Sequence, residues 1–483
     1  MQATFTHLLT GILLLAGCGA GTESEKGKKT PSRVILVVLD TLRADHLTTY
    51  GCERLTAPFL SSFASRSAIF DDAWAPSSWT GPSMASLFTG VYPRQHGVAA
   101  GYGVTRQSKT SNGKDNFAIN RIPSTLHTLP QILHDEGLQT YGIADNPNIC
   151  AAEGFDAGFD QFITMYYQNA TAVNKRLRQF LQHMQEDSRP AFVYLHYIDP
   201  HEPYFERETH IVEDPQGTRQ GRETKALFDQ SRSARKAALR HLRAKKKMPA
   251  PERVQELLAN TIARYDSEIH FVDAQISAAL EMLNVGEDDL VIITADHGEE
   301  FLEHGQLGHT ISLYPELLRI PLFISWPNGG VQVARVQGPA SLVDLVPTIL
   351  DALQIEFPPW LSGVSLLPAT RGEPLKPRPL LFSRIKEHGK TETEKIDGLL
   401  EDKWLYLERH PQGDRLLFNL TVDPWAQKNL AHEQPKRTTA MGLRLQAESD
   451  ALPQWEREFT LRTTLDADRI ESLNALGYAT SGE

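Results

Sequence analysis

The sequence predicts an α/β fold in which a large, mostly parallel central sheet is flanked by helices. Three observations carry that prediction. Short apolar runs alternate with helical patterns along most of the chain, the arrangement that builds strand–helix–strand crossovers. The clearest run is rich in β-branched residues and apolar at every position rather than every second one, as a strand buried on both faces requires. The 483 residues, 41% hydrophobic and 23% charged, suffice for one large core with a smaller unit attached.

The chain opens with an apolar run from Leu8 to Gly17, interrupted by Thr10 and ending at Cys18. A run this short suits a signal sequence and falls short of the roughly 18 residues that span a bilayer. Leu15-Ala16-Gly17-Cys18 resembles a bacterial lipobox, in which the Cys is lipidated and becomes the first mature residue. Residues 1–17 then form a signal peptide, and residues 18–31, small and polar with Lys26, Lys28 and Lys29, a flexible tether. The n-region departs from the pattern in carrying no Lys or Arg. An exported protein anchored to the cell envelope is expected, and Gly19, where Asp would signal inner-membrane retention, favours the outer membrane. The alternative is a cleaved signal in which Cys18 is incidental.

Val34 to Leu39 is the first expected strand, followed by Tyr141–Ala144, Phe192–Tyr197, Leu290–Thr294 and Pro321–Ser325. Pro130 to Glu136 reads as a short helix closed by Gly137. From Val254 to Leu283, Leu258, Ile262, Tyr265, Ile269, Val272 and Ile276 recur three or four apart, which marks a long amphipathic helix. Gly101–Arg121 is polar and expected to be an exposed loop. Arg219–Lys247 carries eleven Lys or Arg against Glu223 and Asp229, a solvated face or a contact to anionic lipid headgroups. Beyond Pro368, Leu380–Phe382 and Trp404–Leu407 read as strands and Pro435–Ser449 as a helix.

Charge and cysteine content narrow the function. Lys and Arg number 49 against 60 Asp and Glu, a net charge of −11, which excludes nucleic acid as the general partner. Three cysteines make neither a disulfide framework nor a cysteine-rich zinc module, and with Cys18 acylated only Cys52 and Cys150 are left to pair.

The chemistry gathers at strand ends, where parallel sheets bind their ligands. The first strand runs into Asp40, a later one into Asp296-His297, and a third leads through His196 and Asp199 to His201. Carboxylates and an imidazole together suit a divalent metal ion, Zn²⁺ or Mn²⁺ ahead of Ca²⁺. A second ion would draw on Asp199, His201 and His304. In Ser77–Gly90, Pro82 suits the first position of a helix, which would place Thr80 just ahead of an N-terminus that favours anions. Thr80 there is either a nucleophile, once its hydroxyl meets a metal, or a helix cap.

These motifs resemble the sulfatase branch of the alkaline phosphatase superfamily over most of residues 32–432. The family's nucleophile motif falls on Thr80-Gly81-Pro82-Ser83-Met84 through Thr89-Gly90, and Tyr92-Pro93-Arg94-Gln95-His96-Gly97 is similar to the segment after it. Asp40 and Asp296-His297 match metal-ligand positions. His201, in Asp199-Pro200-His201-Glu202-Pro203-Tyr204, resembles a substrate-contacting His, and His309 a residue touching the transferred group. Leu342–Thr348 and Leu420–Pro424 are also typical. The resemblance implies a sulfatase-like catalytic domain over residues 32–370 and a small α+β subdomain, with no chemistry of its own, over residues 371–483.

Departures from the pattern set the expected mechanism. The usual sulfatase oxidises a Cys or Ser to formylglycine, whereas Thr80 bears a methyl on Cβ and cannot become an aldehyde. Met84 stands where an Arg supports that residue, and Thr41 where a second ligand Asp is usual. The resemblance is therefore to Thr-nucleophile, single-metal members. A metal on Asp40, Thr80, Asp296 and His297 is implied, with His201 and His309 stabilising oxygens or protonating the leaving group. The expected activity is hydrolysis or transfer of phosphate-type esters, on an anionic substrate that is lipid- or glycan-linked. The alternatives are sulfate-ester hydrolysis without formylglycine, and an inactive anion-binding lipoprotein. Arg94, His96, His196 and His304 are read as packing residues before catalytic ones.

Overall fold

The computed structural model describes residues 29–99, 106–109, 115–184, 187–204, 207, 210, 212, 251–388 and 391–462. Cys18, the tether before Lys29 and the basic run 219–247 lie outside them. Eight strands form the central sheet among the described residues: β1 (Arg33–Leu39), β2 (Ala68–Phe70), β3 (Gln139–Ala144), β4 (Gln161–Thr164), β5 (Ala191–Tyr197), β6 (Asp289–Ala295), β7 (Leu322–Ser325) and β8 (Ala334–Val336). Their spatial order is β8-β2-β7-β6-β1-β5-β3-β4. Val34 to Leu39 are fully buried, so the continuous apolar run reflects helices on both faces.

Register makes the site. β6, β1, β5 and β3 are adjacent and parallel, so their carboxyl ends emerge on one edge. Leu39 pairs with both Ala295 and Tyr197, which brings Asp40 and Asp296 to the same level on strands roughly 4.8 Å apart. The sheet is mostly but not wholly parallel. The 321–325 run forms β7, which is antiparallel to both β6 and β2. An apolar run reports burial, and burial is the same for either direction.

Helix α1 (Thr80–Thr89) reaches that edge with every residue buried. Trp79 is the extended cap residue and Thr80 the first helical one, so Pro82 sits third in the helix rather than first. The ring costs nothing there, because the first i→i−4 bond is Ser83 N–H to Trp79 O and earlier amides have no helical acceptor. Helix α2 (Leu129–Asp135) ends at Gly137, with φ +84. Helix α3 (Pro251–Met282) buries Tyr265, Ile269, Val272 and Ile276 completely. Its acids also serve as caps: Asp273 accepts the Phe59 and Leu60 amides at the start of helix Pro58–Ala64. No helix among the described residues is long and apolar enough to cross a membrane.

Toward the C-terminus, β9 (Leu380–His388), β10 (Thr391–Glu401), β11 (Trp404–His410) and β12 (Asp414–Asn419) make an antiparallel sheet in chain order. Its period-2 alternation sends Leu380, Phe382, Ile396 and Leu405 onto Trp74, Leu313 and Leu318. Leu381, Leu399, Tyr406 and Leu417 face Tyr92 and helix α4 (Pro435–Ala451) through Met441 and Leu445. Asp115–Arg121, expected as loop, is instead a strand between Arg106–Lys109 and the tail strand Glu458–Arg462, both antiparallel to it. One of its partners is the neighbouring strand 106–109, and the other lies more than 300 residues away, beyond the reach of a local pattern. Cys52 and Cys150 are not joined in a disulfide.

Candidate active site

Asp40, Asp296 and His297, completely buried, bring one ligand atom each to within 4.8 Å of one another. His297 Nδ1 donates to Gly298 O at 2.9 Å, which leaves Nε2 as the lone-pair nitrogen. That Nε2 stands 3.6 Å from Asp40 Oδ1 and 3.4 Å from Asp296 Oδ2. Both of those oxygens are buried with no hydrogen-bond partner. Gly298 is required behind the imidazole, because a Cβ there would stand 2.1 Å from Glu316 O.

Thr80 Oγ1 completes the cluster, 3.4 Å from Asp40 Oδ2 and 3.4 Å from His297 Nε2. Asn146, just past the end of β3, donates Nδ2–H to Asp40 Oδ2 at 2.7 Å and reaches Thr80 Oγ1 at 3.4 Å. Its Oδ1 is fixed by the Asn148 amide at 2.8 Å. Thr41 adopts a left-handed φ of +60, unusual for a β-branched residue. Two bonds hold it there: Thr41 N–H to Asp296 Oδ1 at 3.1 Å, and Tyr265 O–H to Thr41 O at 2.6 Å.

Burial pushes the Asp40 carboxyl well above the usual carboxylate range, and facing Asp296 adds to the rise. Asp296 is raised mainly by burial, and burial with His309 nearby drives His297 well below the usual imidazole value. Two carboxylates and a neutral imidazole thus converge on one point with orphaned acceptor atoms. That donor set fits a divalent metal ion, with Thr80 Oγ1 at its edge.

A second group of side chains borders the first. The His309 ring lies 4.7 Å from His297 and 4.7 Å from His201, centroid to centroid. Glu299 Oε1 accepts from His309 Nδ1 at 3.0 Å, while Oε2 accepts Tyr204 O–H at 2.8 Å. Burial alone would raise Glu299, but His309, His201 and Tyr204 together outweigh it, leaving the carboxylate below its usual range. Burial pushes His201 down to about 3, with His309 adding to the effect, and His201 Nε2 has no hydrogen-bond partner. Arg384 on β9 donates Nε–H to Thr310 O at 2.7 Å, so the C-terminal sheet holds the residue next to His309.

All six residues expected at the site lie in these two groups, while the secondary candidates divide. His196 is wholly buried, 3.8 Å from Asp40 Oδ2, with neither ring nitrogen hydrogen-bonded. His96 instead joins Ser86 Oγ at 3.0 Å and accepts the Val98 amide, bracing α1. His304 bridges Glu316 Oε1 at 2.7 Å and Ala426 O at 3.1 Å, stacked on Tyr314. Arg94 points to Asp397, 3.5 Å away. The second-ion set does not assemble, because Asp199 spends its oxygens on the Ala170 amide and Arg207. Asn146 and Glu299 escaped the sequence reading. Asn146 lies one residue further past its strand end than Asp40 does, with Asp145 between, and Glu299 lies two residues beyond His297.

A family model described as Sulfatase matches residues 32–355. Human N-sulphoglucosamine sulphohydrolase is 28% identical over 355 residues, 68% of this chain and 63% of that protein. Mouse arylsulfatase K is 33% identical over 183 residues, 36% of this chain and 32% of its own length. The matched region thus spans less than two thirds of these curated relatives. A protein solved with its substrate D-glucosamine-2-N,6-O-disulfate superposes with a TM-score of 0.66 at 18% identity, covering 87% of this chain and 98% of the other. The phosphonate monoester hydrolase of Agrobacterium radiobacter gives 0.65 at 19% identity, over 87% and 96%. The likeness of these structures lies in the fold, a central sheet with a small antiparallel sheet domain at the C-terminus. With the family model covering most of the catalytic sheet and its strand-end cluster, the chain belongs to the sulfatase family.

Proposed function

We propose that this protein hydrolyses or transfers phosphate-type esters with Thr80 as its nucleophile. The observation that carries the reading is Thr80 Oγ1 at 3.4 Å from both Asp40 Oδ2 and His297 Nε2, on a cluster whose remaining acceptors are unpaired. A divalent cation bound by Asp40, Asp296 and His297 would supply positive charge that acidifies the Thr80 hydroxyl and offsets charge on the transferred group.

The chain's own residues do the rest. Asn146 donates to Asp40 Oδ2 and so fixes the carboxylate that Thr80 meets. Thr80 Oγ1 gives its proton to Asp40 Oδ2, 3.4 Å away, and forms the bond to phosphorus as the bond to the leaving oxygen breaks. With Nδ1–H donated to Glu299, His309 acts as an imidazolium, giving the leaving oxygen the second proton, the one on Nε2. Water, or an acceptor hydroxyl, then resolves the Thr80 ester. His201 Nε2, unpartnered and buried, supports a contact to the transferred group.

A second reading keeps the same residues and acts on sulfate esters without formylglycine; the sulfatases among the relatives favour it. Parallel turnover of phosphate monoester, phosphodiester, phosphonate ester and aryl sulfate decides between them. Protein made in a host without formylglycine-generating machinery should be active as made. Thr80→Ser should keep measurable activity and Thr80→Ala lose the covalent route, with mass spectrometry placing a phosphoryl adduct on Thr80. An adduct on Ser77, Ser78 or Ser83, or a fully active Thr80→Ala, refutes the mechanism. The proposal includes a lipid anchor on Cys18, and Cys18→Ser should release the protein from membranes; unchanged fractionation removes the anchor.

A further inference from the structure

Two buried carboxylates at the carboxyl edge of the sheet have no part in the chemistry above. Asp145 follows β3 and Asp199 lies two residues past β5, on the same edge as Asp40 and Asp296. Each gives oxygen atoms to one turn, residues 165–170, and that turn presents Tyr167 to His201. We propose that Tyr167 is a specificity-determining residue, held in place by Asp145, that receives the alcohol part of the ester on the leaving side. The inference rests on the ester-cleaving reading above and adds a substrate class to it: esters whose alcohol carries a flat, apolar ring beside the cleaved oxygen.

Backbone bonds fix the turn. Met165 N–H donates to Ala144 O at 2.6 Å, so the chain stays against β3 for one residue beyond β4 before it enters the helix Ala170–Met184. Gln168 N–H reaches Asp145 Oδ1 at 3.0 Å and Oδ2 at 2.9 Å, and Asn169 N–H reaches Oδ2 at 2.8 Å. Ala170 N–H meets Asp199 Oδ2 at 2.8 Å. This geometry puts Tyr167 at φ +53 and Asn169 at φ +80. Asn tolerates the left-handed region and glycine adopts it freely, whereas a tyrosine there is strained. The bonds to Asp145 and Asp199 come from backbone amides, so they do not depend on the side chain at 167. Strained residues that their surroundings hold in this way gather at functional sites.

The tyrosine ring meets the histidines of the site. Its centroid lies 5.5 Å from that of His201, edge to face at 75°. His201 is 4.7 Å from His309, and His309 is 4.7 Å from His297. Four rings therefore lead outward from the Asp40–Asp296 cluster: His297 is fully buried, His309 and His201 nearly so, and Tyr167 half-buried. In the mechanism above the leaving oxygen meets His309, so the carbon skeleton behind that oxygen runs along His201 to Tyr167. An aromatic ring in that place adds edge-to-face or offset contacts and removes apolar surface from water, whereas a methyl group falls short of Tyr167.

Titration calorimetry on the full chain, with Mn²⁺ present, reads binding without any turnover. The probes are phenylphosphonate and methylphosphonate, which share the anionic group and differ in the part assigned to Tyr167. The parent should bind the phenyl probe more tightly. Tyr167→Ala should weaken phenylphosphonate about tenfold and methylphosphonate by less than about twofold, and Tyr167→Phe should restore most of the loss. Asp145→Asn should reproduce the phenyl-selective loss, because its NH2 would face an amide that the carboxylate accepts. The double variant with Tyr167→Ala should lose no more than Tyr167→Ala alone. Circular dichroism checks folding, and if Asp145→Asn misfolds the Tyr167 variants decide. Unchanged phenyl affinity in Tyr167→Ala, or equal losses for the two probes, overturns the proposal and leaves the ester-cleaving reading standing. Equal weakening of both probes by Asp145→Asn overturns its positioning role. A parent that binds neither phosphonate removes the ester-cleaving reading and the proposal with it.

Discussion

Asp40→Asn separates the cost of the buried carboxylates from their use. The substitution preserves shape, and the new amide oxygen can still accept from Asn146 Nδ2, 2.7 Å away in the parent. In chelated protein it should raise stability, because it removes one of two facing buried acids. The sign follows from linkage. Asp40's folded pKa is raised, so the native state holds a proton that the unfolded state releases above about 3.9. Stability of the chelated parent therefore falls as pH rises from that value toward the raised one, and the variant loses this part of the slope. With metal at a hundredfold excess over Kd, the parent should gain about 2.7 kcal/mol. Unfolding entropy of about 2.1 cal/mol/K per residue over roughly 430 residues makes that ~3 °C in Tm. Removing one partner from a buried charged contact costs about 3–5 kcal/mol, or roughly 10²- to 10⁴-fold in metal affinity. The variant's metal-dependent gain should then shrink to under about 0.5 °C at the same concentration. Differential scanning fluorimetry with and without chelator reads both effects. An equal metal-dependent shift in parent and Asp40→Asn refutes the ligand assignment.

Two further outcomes follow from the contacts around the site. Arg384→Gln should lower kcat about tenfold through the Thr310 turn beside His309, and the loss should vanish in a His309→Gln background; additive losses would show that Arg384 acts elsewhere. Burial disfavours the charged form of His304, but Glu316 overcomes it and raises the pKa, so His304's contribution is complete below about 6.5 and disappears as pH climbs through the folded value. His304→Gln should lower Tm by about 2 °C at pH 6 and by less at pH 9, and a pH-independent loss would contradict the imidazolium assignment.

What the sequence determined alone was local: buried strands that end in polar residues. Val34–Leu39 is apolar at every position because helices cover both faces, so the first polar side chain after it, Asp40, marks the carboxyl edge of the sheet. The same logic delivered Asp296-His297 and, with the motif around Thr80, a family and its departures from pattern. At the end of β3 it points to Asp145, which accepts the Gln168 and Asn169 amides, and it is the next residue, Asn146, that meets Asp40. Tertiary structure alone decided which neighbours each polar group meets. His304 and His96 look like Asp- or Glu-flanked and loop histidines in sequence, yet one is locked onto Glu316 and Ala426 and the other onto Ser86. The antiparallel β7, the pairing of 115–121 with 458–462, and Arg384 reaching Thr310 belong to the same class. Hydropathy records how deeply a residue is buried, whereas a hydrogen bond depends on which distant segment arrives beside it. Only the folded chain supplies that information.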